Sequence, residues 1–123
     1  MQIRQRHIGP VVCLDLEGRL VLNYQEGSLR ETVNDLLSQS HRQIVLNLKD
    51  VSLIDTSGLA AMIAVKLAAQ RTGGDIKLLH LPTRIYNLLV VTRLITVFDV
   101  FESEEEAAGS FLVTATGSAE AAR

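Results

Sequence analysis

The residues best suited to chemistry gather in one segment, Asp50-Val51-Ser52-Leu53-Ile54-Asp55-Thr56-Ser57-Gly58-Leu59. It reads as a loop between a buried strand and an alanine-rich helix, with three short polar side chains followed by a glycine. Asp55, Thr56 or Ser57 could each accept a backbone N–H and cap the helix. The same position has free N–H groups and a dipole that favour negative charge. A phosphate on Ser57 would be tolerated there, and would set nearly two negative charges beside Asp55. Spacing alone favours a plain cap; the position suits a switch, but spacing does not say that one is there.

Other constellations are missing from the sequence. His7, His41 and His80 fall on a predicted strand, a loop and a strand, without ligand spacing, and one cysteine is too few for a usual zinc site. His80 and Cys13 read as half-buried structural and packing residues respectively. Gly9, Gly18 and Gly27 lie too far apart to cradle a pyrophosphate, and no P-loop is present. An aspartic-protease loop needs glycine directly after Thr or Ser and a second shared carboxylate; Ser57 breaks that spacing. No cofactor, metal or enzymatic activity is expected.

The elements that hold this segment must come from a chain of 123 residues, which fits one domain. Its 47% hydrophobic and 21% charged residues are near globular averages and exclude wholesale disorder. The net charge of −2 with no basic run, and 4% aromatics with no Trp, argue against a nucleic-acid partner. A single cysteine suits a reducing cytoplasm. No stretch approaches the roughly 18 to 20 apolar residues of a membrane span, and Met1 to Arg6 lacks an apolar signal core. The expectation is a soluble cytoplasmic domain without membrane insertion.

Periodicity orders the elements. Ile3 to Ile8 and Val11 to Glu17 read as a hairpin turned at Gly9-Pro10, with Val12, Leu14 and Leu16 sharing one face. Gly18 then allows a bend before a short extended piece, Leu20 to Leu22. Ser28 and Glu31 form a capping box for a helix to about Ser40, with Leu29, Val33, Leu36 and Leu37 at helical spacing. Gln43 to Leu48 reads as a strand buried on both faces. The second helix runs from near Ser57 to Arg71 and ends at Thr72-Gly73-Gly74 through a left-handed glycine cap. Ile76 to Leu81 is the next strand. Thr83 is the N-cap of a third helix carrying Ile85, Leu88, Leu89 and Thr92, and Val97 to Phe101 is the last strand. Ser103 to Glu106 cap a final helix docked by Ala107, Ala108, Phe111 and Leu112.

On the second helix, Leu59, Met62, Ile63 and Leu67 read as the core-facing arc, leaving Ala60, Ala61, Ala64 and Ala68 outward as a flat docking face. Lys66 falls within the apolar arc, explained by its stem snorkelling to an edge. The fold class is α/β: one domain over residues 1–113 with a mixed sheet of four or five strands and packed helices, and a frayed tail over 114–123.

At Val45 to Leu59 the chain resembles STAS domains, in particular the Asp-Ser-Ser-Gly-Leu or Asp-Ser-Thr-Gly-Leu element of bacterial anti-sigma factor antagonists. The similarity spans about Ile3 to Leu112 and includes the Gly73-Gly74 ending and Val97 to Phe101 with its acidic Glu104 to Glu106 helix start. The resemblance implies a non-catalytic protein that binds an anti-sigma factor which is also a serine kinase, freeing the sigma factor. It implies phosphorylation at Ser57, with Asp55 and Thr56 matching the preceding acid and first hydroxyl, and reversal by a phosphatase. Asp55, Thr56, Ser57, Gly58, Ala60, Ala61 and Ala64 are the expected partner-binding residues. Two positions depart from the family pattern: Val21 stands where many antagonists carry an Asp that helps the phosphorylation site, and Arg93 where many carry Gly. The alternative is a STAS accessory subunit of another complex, such as a lipid-transport complex, without phosphorylation.

Overall fold

The computed structural model describes residues 2–21 and 29–111. The expected Ser28 cap, Leu112 and the 114–123 tail lie outside them. Five strands form one sheet in the order β1-β2-β3-β4-β5: β1 (Gln2–Ile8), β2 (Val11–Leu20), β3 (Gln43–Ile54), β4 (Asp75–Leu79) and β5 (Val100–Phe101). β1 pairs antiparallel with β2, and the other pairings are parallel, so the sheet is mixed. The helices are α1 (Leu29–Ser38), α2 (Thr56–Arg71), α3 (Thr83–Val91) and α4 (residues 104–111), with a 3₁₀ turn at Leu94–Thr96.

Alternation on the central strands fills two cores. Val12, Leu14 and Leu16 of β2 and Ile44, Leu46 and Leu48 of β3 join one large cluster with side chains of α1, α2 and α3. Val11, Cys13 and Val45 point to the opposite face, where Ala107 and Phe111 of α4 cover them. Leu46 and Leu48 are completely buried, as expected for a strand covered on both sides.

The strand boundaries differ from the sequence reading at three places. β3 continues past Leu48 to Ile54, because Val51 and Ile54 still reach the core while β2 extends beside it to Leu20. Two register irregularities and the positive φ of Gly18 (110°) bend this extension. β4 stops at Leu79 rather than Leu81: His80 turns left-handed (φ 54°), and Pro82 has no N–H to give a ladder. The last strand shrinks to two residues because the chain before it coils into the 3₁₀ turn and buries Phe98 on the way.

The helix ends follow familiar chemistry with one correction. α2 ends as a Schellman motif: the N–H of Gly74 donates to Ala69 O and that of Gly73 (φ 85°) to Gln70 O. α4 is capped at Ser103 Oγ by the N–H of Glu106. The N-cap of α3 is Pro82, not Thr83; Thr83 is its first helical residue, and no side chain caps it.

Candidate functional site at the start of helix α2

The extension of β3 reduces the expected loop to a single residue, Asp55, between strand and helix. Asp55 is extended (φ −99°, ψ −174°), and its carboxylate accepts the N–H of Gly58 at 2.8 Å. Its own N–H donates to the carbonyl of Leu20 on β2 at 3.3 Å. Of the three capping candidates, Asp55 is therefore the cap, which leaves the hydroxyls of Thr56 and Ser57 on the first two residues of α2.

Thr56 is exposed, and Asp55 and Ser57 are half-buried. Gly58 is buried, with a spatial reason: a Cβ there would lie 2.0 Å from the Leu20 carbonyl oxygen and 3.0 Å from Ile54 Cγ2. Only a residue without a side chain lets α2 start this close to β2. Gly58 thus shapes the site from beneath, and the surface is left to its neighbours.

Further along α2 the buried line is Leu59, Met62, Val65, Lys66 and Ala69. Ile63 is half-buried and Leu67 is 45% exposed, so the arc expected from the sequence is rotated by roughly a quarter turn. The cause is packing against both α1 and β4, which draws Val65 and Ala69 inward. Ala60 is exposed, and Ala61, Ala64 and Ala68 are half-buried.

Lys66 does not snorkel. It is 4% exposed, and its Nζ donates to the Asp75 carboxylate and to the Ile76 carbonyl at 3.1 Å, above the Phe98 ring. Lys77, also buried, donates to Asp99 at 2.7 Å on the other side of the sheet, above Phe111. That bond holds the Asp99 carboxyl below its ordinary range.

A second polar cluster went unseen in the sequence. Arg6 of β1 bonds both oxygens of Asp15 (2.9 Å from Nη2 to Oδ1) and also Glu104 at the start of α4, while Asn47 donates to Asp15 at 2.8 Å. Cys13 lies beside it, its thiol donating to Asp15 Oδ1 at 3.6 Å. Cys13, Asp15 and Glu104 bring three potential metal-ligand atoms within 4.8 Å of one another. The Arg6 guanidinium, a permanent cation, already bonds both carboxylates there and balances one of their two charges within the protein. Arg6 holds the Asp15 carboxyl below its ordinary value, and burial pushes the Cys13 thiol up to about 12, which keeps it protonated and unreactive at neutral pH. The only sequence signal was the antiparallel register that faces Arg6 with Cys13. Similarly, His7 and His41, far apart in sequence, meet edge to face with ring centres 5.8 Å apart.

This fold and site define a STAS domain: residues 2–107 match the STAS domain family, and the chain belongs to it. The anti-sigma-B factor antagonist of Bacillus subtilis (strain 168) is 30% identical over 82 residues, covering 67% of this chain and 74% of that protein. Among solved structures, an anti-sigma factor antagonist from Mycobacterium paratuberculosis superposes with a TM-score of 0.74 at 14% identity, over 89% of this chain and 92% of that one. The Bacillus cell fate determinant SpoIIAA in its phosphorylated form gives a TM-score of 0.67 at 17% identity, over 89% and 99%. Among the described residues, no helix is long and apolar enough to cross a membrane.

Proposed function

We propose that the chain is an anti-sigma factor antagonist that binds a cytoplasmic anti-sigma factor with serine kinase activity, and that phosphorylation of Ser57 releases this partner. A phosphatase would restore the binding form. The observation that carries the reading is the division of labour at α2: Asp55 does the capping, so the Ser57 hydroxyl on the second helical residue is not needed to hold the helix. The kinship with antagonists supplies the kind of partner.

The chemistry follows from charge. Phosphorylation adds nearly two negative charges beside the Asp55 carboxylate. The local N–H groups of the first turn tolerate them, so the fold survives. A partner covering Thr56, Ser57, Ala60, Ala61 and Ala64 would instead have to desolvate them against an acid and a flat apolar face. A differential of about 3 kcal/mol weakens binding more than a hundredfold, enough to switch occupancy. The protein acts here as ligand and kinase substrate, not as catalyst.

The test is capture of the purified kinase by three forms of the chain, with phosphate incorporation measured alongside. Wild type and Ser57→Ala are expected to bind strongly, Ser57→Asp weakly, and only wild type to take up phosphate. The second reading, an accessory subunit without phosphorylation, draws on Val21, half-buried just past β2 where the family pattern has an acid. Equal binding by all three forms with no phosphate uptake would favour it.

A further inference from the structure

β3 overshoots its neighbour. β4 pairs with it only as far as Asn47, and the last residues of β3 meet α3 across an open groove of about 380 Å³. Ile54 and Ile85 form its floor, Leu53, Leu88 and Val91 its walls, and Arg84 stands at the rim. Large apolar side chains stay in water here: Leu53 is 40% exposed and Val91 80%. Leu53 is the one such side chain on the described strands; Leu67, Tyr86, Val90 and Val97 are exposed to a similar degree outside the groove lining.

We propose that this groove is a docking slot for an apolar, acid-flanked segment of the same anti-sigma factor, so that the interface is larger than the start of α2. The inference rests on the functional reading above. Two observations choose this occupant. The groove's floor residue Ile54 is followed directly by the cap Asp55 and lies against Gly58, so the groove ends three residues before Ser57 and beside the start of α2. Among the described lining residues Arg84 carries the one charge, α3 has no acid and Arg93 follows the helix, while the neighbouring Asp55 carboxylate is bonded to the Gly58 N–H. A carboxylate beside an apolar anchor on the partner would meet Arg84, and a basic flank would be repelled. Buried apolar anchors of this kind carry most of the energy of an interface, whereas the phosphorylated end would act as its switch.

The experiment measures affinity by titration calorimetry, using each purified serine kinase anti-sigma factor encoded in the same genome. The chains compared are wild type, Ser57→Asp, Val91→Glu, Leu53→Glu and Arg84→Glu. Val91 is so exposed that Val91→Glu should melt at the wild-type temperature, which separates a lost contact from a lost fold. Val91→Glu and Arg84→Glu are expected to bind at least tenfold more weakly than wild type. Leu53→Glu should do the same, and Val91→Met should bind normally. Val91→Glu binding like wild type while Ser57→Asp fails would overturn the groove and leave the switch standing. No binding by wild type to any of the kinases would overturn both. A wild-type dimer that becomes a monomer in Val91→Glu, seen by sedimentation, would assign the groove to a second copy and overturn the proposal.

Discussion

Residue 58 sits where a single methyl group decides the geometry of the site. In Gly58→Ala the new Cβ would run into the Leu20 carbonyl, a backbone atom that cannot rotate away. The start of α2 must then lift from β2, at a cost of about 3 kcal/mol. Urea denaturation should show this loss, and, under the proposed function, the displaced first turn should also lower phosphate uptake at Ser57. Arg93 shows a milder form of the same constraint: it holds a left-handed φ of 65° between α3 and the 3₁₀ turn, where many relatives are expected to carry glycine. Its departure from the family pattern therefore touches a turn, not the site.

At the scale of elements, α2 is tied to β4 by a charge that the core has swallowed. The pair is unequal, since the Lys66 side chain is 5% exposed and that of Asp75 30%. Asp75→Ala strands a buried ammonium with one carbonyl and should cost about 3 to 5 kcal/mol. Lys66→Met keeps the packed stem and leaves behind only a carboxylate that water can reach, so its cost should stay within about 1 kcal/mol. Chemical denaturation of the two variants tests the asymmetry. The sequence could not disclose this pairing, because periodicity reports which residues share a helix face but not how that face is turned. Met62 and Leu59 were read correctly as core. Leu67 was not, since only docking against α1 and β4 fixes the rotation. The order of strands and helices, the glycine stop of α2 and the burial of Leu46 and Leu48 were legible because each follows from local pattern. The length of β3 was not. Asp50 and Ser52 look like loop residues until the bent β2 lies beside them. The segment Asp55 to Ser57 is legible from its run of short polar residues before a glycine, whereas the choice of Asp55 as cap depends on its geometry.

For the whole molecule, the smaller core is closed by α4, which an ion pair fastens: Arg6 of β1 reaches both Asp15 and Glu104. The Asp15 carboxyl is held below its ordinary value near 3.8 by this contact. A depressed acid stabilises the fold above its unfolded value and loses that contribution as pH falls through the folded one. Asp15→Asn should therefore be less stable than wild type at neutral pH, and the gap should close as pH drops below about 3.8. Denaturation midpoints measured from pH 7 to pH 2 would show it, with a smaller gap in high salt because the pair is partly exposed.

The single-residue junction at Asp55 has a thermodynamic consequence on the same global scale. A recognition loop usually spends conformational entropy when a partner orders it. Here the strand leads straight into the helix, anchored to Leu20 on one side and Gly58 on the other, so Ser57 is presented with its backbone already fixed. In the proposed complex this junction would add little ordering cost of its own, which would leave the rigidity of the partner to weigh more heavily on the affinity.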